Sequence, residues 1–155
     1  MRFRRHKVEE SGATGTVGAV AIDNQGNIAV ATSTGGVHNK RPGRVGDTPL
    51  FGAGAYADIT LGGVSATGVG EQVMRYLLGH YAVHQLDANT SAQNALINTA
   101  QFIQSKFDDP QVGLIMVDAQ GNVGAMHTTQ AMPTGWVDKD GNIQSSMGGG
   151  INGLG

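Results

Sequence analysis

The chain of 155 residues contains no cysteine, which excludes disulfide bonds, a thiol nucleophile and a cysteine-ligated metal. Charged residues are scarce at 14%, and the formal net charge of −2 gives no electrostatic reason to expect a nucleic-acid or membrane partner. No apolar run is long enough to cross a membrane, and the basic N-terminal residues are not followed by the apolar segment of a signal peptide. We therefore expect a cytoplasmic protein.

Glycine is abundant instead, with 25 residues and no collagen-like period. Such glycines are expected in turns and wherever two strands approach closely. The length suffices for one domain with a real core. Composition divides the chain into a polar leader or linker at 1–15, a domain at 16–145 and a flexible glycine-rich tail at 146–155.

Apolar runs separated by turn residues predict three strand pairs, with two helices between the second pair and the third. The strand pairs are 16–22 with 28–34, 50–56 with 60–67, and 112–118 with 123–128. The first helix begins near Gly70 or Glu71, and its apolar face carries Val73, Leu77, Leu78 and Tyr81. The second helix follows Asn89, with Thr90 or Ser91 as its cap. This order predicts an α+β fold in which helices cover one face of antiparallel sheets.

Two patterns suggest a metal, and neither has the spacing of a known site. The motif Asp-x-x-Gly-Asn occurs at 23–27, 118–122 and 138–142, where it is more typical of hairpin turns than of a calcium loop. His80 and His84 lie four residues apart on a predicted helix, but no glutamate lies between them and no third ligand is evident. We expect no metal and no cofactor.

The long loop at 35–49 contains the first candidate binding residues. Arg44 and Asp47 together suit the carboxylate and ammonium of an α-amino acid, although spacing alone favours a surface ion pair within the loop. Further on, the glycine-rich segment 66–71 precedes a helix, where backbone N–H groups can bind an anion or oxyanion. A simple turn at the helix start is the alternative there.

Five motifs follow one another along the chain. They are Thr16–Ala21, Ala31–Gly36, Pro42–Pro49, Gly52–Asp58 and Ala66–Glu71. Together they resemble the β-subunit of plant-type L-asparaginases, also called isoaspartyl peptidases, which are N-terminal-nucleophile hydrolases. The resemblance implies an αββα sandwich to which this chain contributes only the β-subunit half, with 16–145 as the catalytic domain. It also implies a further hairpin near the end of that domain.

The resemblance assigns a role to each matching residue. It implies self-cleavage between Gly15 and Thr16, which frees the α-amine of Thr16 to act as base for its own hydroxyl. The resemblance also implies that Thr34 hydrogen-bonds near the nucleophile. In the long loop, Arg44 would bind the substrate α-carboxylate and Asp47 its α-amine. In the last motif, Thr67 and Gly68 would form the oxyanion hole, and Gly70 would line the same pocket. Val69 replaces the small polar residue usual in the last motif, which would alter that pocket slightly.

The implied activity is hydrolysis of L-asparagine and of β-aspartyl dipeptides by a dimer of αβ units. The α-subunit would come from the same precursor or from a separate chain, because the family's N-terminal half has no counterpart here. Glycosylasparaginase, which acts on N4-(β-N-acetylglucosaminyl)-L-asparagine, shares several motifs and is an alternative, although its lysosomal members have disulfides that this chain cannot form. A non-catalytic subunit lacking the α half is the other alternative.

Overall fold

The computed structural model describes residues 15–147, which form a mixed fold of strands and helices. The predicted leader, apart from Gly15, and the tail from residue 148 lie outside the described residues. The elements, in chain order, are β1 (Thr16–Ile22), β2 (Ile28–Thr34), β3 (Ala55–Asp58), β4 (Gly62–Gly68), α1 (Gly70–Arg75), α2 (Leu78–Val83), α3 (Ala92–Gln104), β5 (Val112–Asp118), β6 (Val123–His127), β7 (Thr134–Val137) and β8 (Ile143–Ser146).

All paired strands in the described residues are antiparallel, as the sequence predicted. β1 and β2 form a hairpin, β3-β4-β5-β6 form a four-stranded sheet, and β7 and β8 form a second hairpin. That second hairpin agrees with the further hairpin that the resemblance implied. In the first hairpin the register places Thr16 opposite Thr34, so the candidate nucleophile begins its strand directly beside a second threonine.

The β1–β2 hairpin stacks on β4, and glycines permit the close approach. A Cβ added at Gly63 would lie 2.7 Å from Ile28 Cγ2 and 3.0 Å from Val20 Cγ1, while one added at Gly18 would collide with the side chain of Ser65. Successive strand residues point to opposite faces. Val64 therefore faces the helices instead, in a core of buried residues that also includes Leu78, Leu96, Ile103, Leu114 and Met126.

The second strand pair is shorter than predicted. β3 begins at Ala55 rather than at residue 50, because 50–54 form a turn in which the Asp47 carbonyl accepts the N–H groups of Leu50 and Gly54 at 2.9 and 3.1 Å. Gly52 has a φ of 90°, which a strand cannot continue through. β4 begins at Gly62 rather than at 60, since the Asp58 carboxylate accepts the Thr60 N–H in a tight turn.

The first predicted helix is in fact two short helices. The break is at Leu77, which adopts a left-handed conformation (φ 45°, ψ 55°) and is half-exposed rather than buried. The N–H groups of Gly79 and His80 bond to the carbonyls of Ala53 and Gly52 at 3.0 and 2.7 Å. α2 is therefore docked on the turn before β3, and this tertiary contact overrides the helical periodicity of the sequence.

The remaining predictions of local structure are confirmed, apart from small shifts at strand ends. Ser91 caps α3 by accepting the Asn94 N–H, and Ala95, Leu96, Ala100 and Ile103 of that helix are buried. The motif Asp-x-x-Gly-Asn forms a hairpin turn in all three places, where the aspartate accepts the N–H of the asparagine at 2.8–2.9 Å. β6 ends at His127, one residue early. No helix among residues 15–147 is long and apolar enough to cross a membrane.

Candidate active site

Thr16 lies at the start of β1, half-buried, with the exposed Gly15 before it. A Cβ added at Gly15 would meet nothing within 4 Å among the described residues, so no side chain of this part of the chain packs against Gly15. Across the hairpin, the hydroxyl of Thr34 accepts the Gly36 N–H at 3.0 Å, which ties the end of β2 to the loop that follows. The strand pairing therefore holds the two threonines next to an accessible backbone junction.

A cavity of ≈ 390 Å³ opens beside Thr16. Five of the residues singled out in the sequence border it: Thr16, Thr34, Arg44, Asp47 and Gly68. They come from three places in the chain, namely the first hairpin, the long loop after it and the end of β4. The volume suits a ligand of amino-acid or dipeptide size, since ligand pockets of ~300–1,000 Å³ hold drug-sized molecules.

Arg44 does not pair with Asp47. It pairs with Glu71 in the first turn of α1, through Nε to Oε1 at 2.9 Å and Nη2 to Oε2 at 3.0 Å. The hydrogen bond to Arg44 lowers the pKa of Glu71, and the same bond raises the pKa of Arg44. The interpretation of Arg44 and Asp47 as an ion pair within the loop is therefore wrong. Sequence reasoning also gave Glu71 no role, although it ends the last of the five motifs.

Asp47 is buried, with 5% of its surface exposed, and its Oδ2 has no hydrogen-bond partner among the described residues. Burial raises its pKa, and the hydrogen bond from its own backbone N–H and the charge of Arg44 oppose this rise. A buried carboxylate oxygen without a partner is costly. Asp47 also borders the larger cavity, so its carboxylate lies beside the space that a ligand cation would occupy.

Gly68 and Gly70 fill positions that no larger residue can occupy without displacing its neighbours. Gly68 has a φ of 136°, and a Cβ there would collide with the Gln111 carbonyl oxygen. A Cβ at Gly70 would lie 2.7 Å from Asp47 Oδ1 and 3.1 Å from Arg44 Nη2. Gly70 thus lies directly behind the two charged groups rather than on the cavity wall, and its missing side chain leaves them room.

Thr67 lies on the other side of Thr16. It borders a second, smaller cavity of ≈ 210 Å³, which Thr16, Ser65 and Met132 also line. Thr16 therefore contacts both cavities, whereas Thr67 and Gly68 border one each. Of the site residues taken from the resemblance, Gly15 and Gly70 border neither cavity.

His80 and His84, the histidines considered as metal ligands, border neither cavity. The rings of His80 and His84 stack on each other at 3.9 Å, and both contact the ring of Tyr56. Within residues 15–147, no group of three or more histidine, aspartate or glutamate side chains is arranged to hold a metal ion. The side chains that line the larger cavity offer hydroxyl, carboxylate, guanidinium and ammonium groups.

A threonine beside a cavity that offers a cation and a buried carboxylate has the groups that suit an amino-acid-like ligand. Comparison with known proteins gives the family. A family model described as asparaginase matches residues 3–147, and the chain belongs to this asparaginase family. The resemblance found in the sequence motifs is thereby confirmed.

Three relatives illustrate the similarity. A plant-type L-asparaginase of Pyrobaculum calidifontis is 43% identical over 132 residues, which is 85% of this chain and 44% of the relative. The isoaspartyl peptidase/L-asparaginase of Bos taurus is 44% identical over 134 residues, covering 86% and 42%. The human isoaspartyl peptidase/L-asparaginase is 42% identical over 130 residues, covering 83% and 41%. The chain thus spans less than half the length of the curated relatives it matches.

Proposed function

We propose that this chain is the catalytic half of an amidohydrolase that acts on L-asparagine and β-aspartyl peptides, with Thr16 as the nucleophile. The observation that carries the proposal is Asp47, which is buried beside Arg44 in the cavity that Thr16 borders and has one carboxylate oxygen, Oδ2, without a hydrogen-bond partner among the described residues. Residues 1–15 form the segment removed at the Gly15–Thr16 bond, 16–145 form the catalytic domain, and 146–155 form a tail. An α-subunit from the same precursor or a separate chain completes an αββα sandwich, and two αβ units form a dimer.

The aspartyl end of the substrate is held by charge. Its α-carboxylate binds Arg44 through the guanidinium hydrogens that Glu71 leaves free, and its α-ammonium binds the Asp47 carboxylate at the cavity wall. Because the ammonium neutralises a buried carboxylate, the site favours an α-amino acid over a simple carboxylic acid. With both charges bound, the side-chain amide carbon is directed toward Thr16.

Thr16 becomes a nucleophile when its amine is freed. In self-cleavage its hydroxyl attacks the Gly15 carbonyl, the acyl group moves from nitrogen to oxygen, and water opens the ester to leave a Gly15 carboxylate and a free Thr16 amine. An α-amine has a pKa near ~8, so an appreciable part is neutral at pH 7 and accepts the hydroxyl proton. One residue then provides both nucleophile and base.

Turnover uses the same two groups. Thr16 Oγ attacks the side-chain amide carbon, its proton passes to the amine, and Thr67 and the Gly68 N–H stabilise the oxyanion. Collapse breaks the carbon–nitrogen bond, and the amine returns the proton to the leaving ammonia or peptide amine. A water then attacks the β-aspartyl ester, gives its proton to the amine, and aspartate leaves as Thr16 Oγ regains a hydrogen.

The test is mass spectrometry combined with an activity assay. The chain is purified alone and together with its α-subunit. We expect loss of 1–15, with Thr16 as the new N-terminus, and release of ammonia from asparagine and of leucine from β-Asp-Leu. Thr16→Ala should abolish cleavage and turnover, whereas Thr16→Ser keeps a hydroxyl and should retain part of both.

Three results would contradict the proposal in different ways. Retained activity in Thr16→Ala would exclude Thr16 as the nucleophile. Preferred hydrolysis of N4-(β-N-acetylglucosaminyl)-L-asparagine would instead identify a glycosylasparaginase. A chain that stays intact and inactive with its α-subunit present would identify a non-catalytic subunit.

A further inference from the structure

Lys40 is a second cation on the wall of the larger cavity. It borders the same space as Thr16, Arg44 and Asp47. Its Nζ donates one hydrogen bond, to the Gly35 carbonyl oxygen at 3.0 Å. The single ion pair within residues 15–147 joins Arg44 to Glu71, so Lys40 has no carboxylate partner in this part of the chain.

The position of Lys40 relative to the nucleophile follows from the hairpin register. Thr16 pairs with Thr34, and the ammonium of Lys40 lies over the two residues that follow Thr34. A Cβ added at Gly36 would lie 2.7 Å from Lys40 Nζ, and Gly36 itself donates its N–H to the Thr34 hydroxyl. The ammonium is thus placed at the end of the cavity formed by the 35–36 turn, whereas Arg44 is braced against α1.

The two cations differ in what they have left to bind. Two of the Arg44 N–H groups are already bonded to Glu71, and Asp47 is the only acid among residues 15–147 that lines this cavity. Lys40 pairs with no described carboxylate. Its ammonium has two N–H donors besides the one bonded to the Gly35 carbonyl. A flexible ammonium of this kind suits a carboxylate whose position varies from one ligand to the next.

We propose that Lys40 binds the α-carboxylate of the leaving amino acid when the substrate is a β-aspartyl dipeptide. This inference rests on the proposed function, which binds the aspartyl end at Arg44 and Asp47 and the scissile amide at Thr16. A β-aspartyl dipeptide carries its second carboxylate one carbon beyond the scissile nitrogen. Asparagine has no such group, so Lys40 distinguishes peptide substrates from the free amino acid.

The experiment compares three substrates on the complete enzyme with its α-subunit: β-Asp-Leu, the same dipeptide as its C-terminal amide, and asparagine. For Lys40→Gln we expect kcat/KM on β-Asp-Leu to fall about 5- to 10-fold, the effect of one charge-assisted contact near solvent. The amide and asparagine should change less than about twofold. Lys40→Arg keeps the charge and should restore most of the preference for the free carboxylate.

Arg41→Gln is the matched control. It removes the same charge from the adjacent, exposed residue of the same loop, which does not line the cavity. We expect it to leave all three kcat/KM values nearly unchanged, because an exposed charge outside the cavity is screened. The ratio of β-Asp-Leu to asparagine hydrolysis should therefore separate Lys40→Gln from Arg41→Gln.

The outcomes are distinguishable. An equal loss in Lys40→Gln on all three substrates would show that Lys40 only supports the 35–36 turn. No loss on any substrate would show that Lys40 does not contact the substrate. Either result overturns the inference, while the proposed function stands. An equal loss in Arg41→Gln would reduce the effect to loop charge and overturn it as well. A wild-type enzyme that hydrolyses none of the three would overturn the proposed function and this inference together.

Discussion

Glu71 binds one edge of the Arg44 guanidinium, with Nε–Oε1 at 2.9 Å and Nη2–Oε2 at 3.0 Å. Guanidinium carries five N–H donors in a rigid plane, so Nη1 and the second hydrogen of Nη2 remain for a ligand. Glu71 therefore fixes the direction in which Arg44 presents its free edge. A residue outside the cavity thereby orients the group that is proposed to bind the substrate carboxylate.

The first prediction concerns Glu71→Gln. The amide keeps the shape of the side chain but loses the charge and one of the two acceptors, so Arg44 is held less firmly. Glu71 is largely exposed, which limits the loss to about 1 kcal/mol and the rise in KM for asparagine to roughly fivefold. We expect kcat to change little, since the chemical step at Thr16 does not involve Glu71.

Steady-state kinetics test this prediction, with Asp108→Asn as the control because it makes the same chemical change at an exposed site elsewhere. A fall in kcat with KM unchanged would argue against an orienting role. Glu71→Asp retains the charge on a shorter side chain, and its KM should lie between those of the wild type and Glu71→Gln.

The second prediction concerns Asp47 and pH. Burial raises the pKa of Asp47 from its ordinary value of 3.8. As pH rises above 3.8, Asp47 loses its proton in the unfolded chain before it does so in the folded protein, where its pKa is higher. Asp47 therefore lowers the free energy of unfolding increasingly between these two pKa values, and the full penalty persists at higher pH. Asp47→Asn removes the penalty, and we expect a higher Tm near neutral pH, by roughly 2–4 °C for each kcal/mol regained.

The same substitution should abolish asparagine hydrolysis, because a neutral amide cannot pair with the substrate ammonium. Thermal melts of the unliganded protein at several pH values, beside activity, measure both effects. The Tm gain should vanish toward pH values below 3.8, where Asp47 is protonated in both states. A lower Tm for Asp47→Asn at neutral pH would show that the ionised carboxylate stabilises the free protein instead.

The third prediction concerns Gly70→Ala. The new methyl would lie 2.7 Å from Asp47 Oδ1 and 3.1 Å from Arg44 Nη2, so both charged groups must move. A misplacement of this size in a binding site costs on the order of 10- to 100-fold in kcat/KM. The helix itself should persist, since alanine is the better helix former.

Kinetics and a thermal melt together test Gly70→Ala, with the neighbouring Val69→Ala as the control for a change at the start of α1. Val69 is partly exposed, and its truncation should leave kcat/KM within about twofold. Wild-type kinetics in Gly70→Ala would mean that the positions of Arg44 and Asp47 do not matter to the reaction.

Local patterns were enough to predict the hairpins and α3. The alternation and Asp-x-x-Gly-Asn turns of 16–34 and 112–128 fix strand pairs whose contacts are close in sequence, and Ser91 caps its helix through a contact three residues away. These features depend on short-range geometry that the sequence carries directly. Thr16, Arg44 and Asp47 were identified through the resemblance of their motifs to a known family, and the structure places all three around one cavity.

The features of the fold and the site that local patterns did not predict depend on long-range contacts. Arg44 bonds to Glu71, 27 residues away, and nothing in the spacing of either residue indicates that partner. The same holds for Lys40, whose place on the cavity wall depends on how the long loop folds back over the 35–36 turn. The break in the first predicted helix likewise comes from hydrogen bonds to Gly52 and Ala53, which helical periodicity cannot reveal.

That break supplies the last prediction, which concerns stability alone. Leu77 has a φ of 45° and a ψ of 55°, a left-handed conformation that costs a residue with a Cβ roughly 1–2 kcal/mol. Its side chain is 50% exposed, so truncation also loses the burial of the other half, a loss that Leu77→Gly and Leu77→Ala share. Relative to Leu77→Ala, Leu77→Gly should therefore be more stable by about 1 kcal/mol, after the extra flexibility of glycine in the unfolded chain is subtracted.

Leu77→Ala is the matched control because it removes the same side chain and keeps the Cβ. Denaturant unfolding of both variants isolates the backbone contribution as the difference in their free energies of unfolding. We expect Leu77→Gly to be the more stable of the two, since only glycine is free of the steric cost at this φ. If Leu77→Ala is equally stable, the left-handed conformation costs nothing. Leu77 would then not be a strained residue that the hydrogen bonds from Gly79 and His80 hold in place.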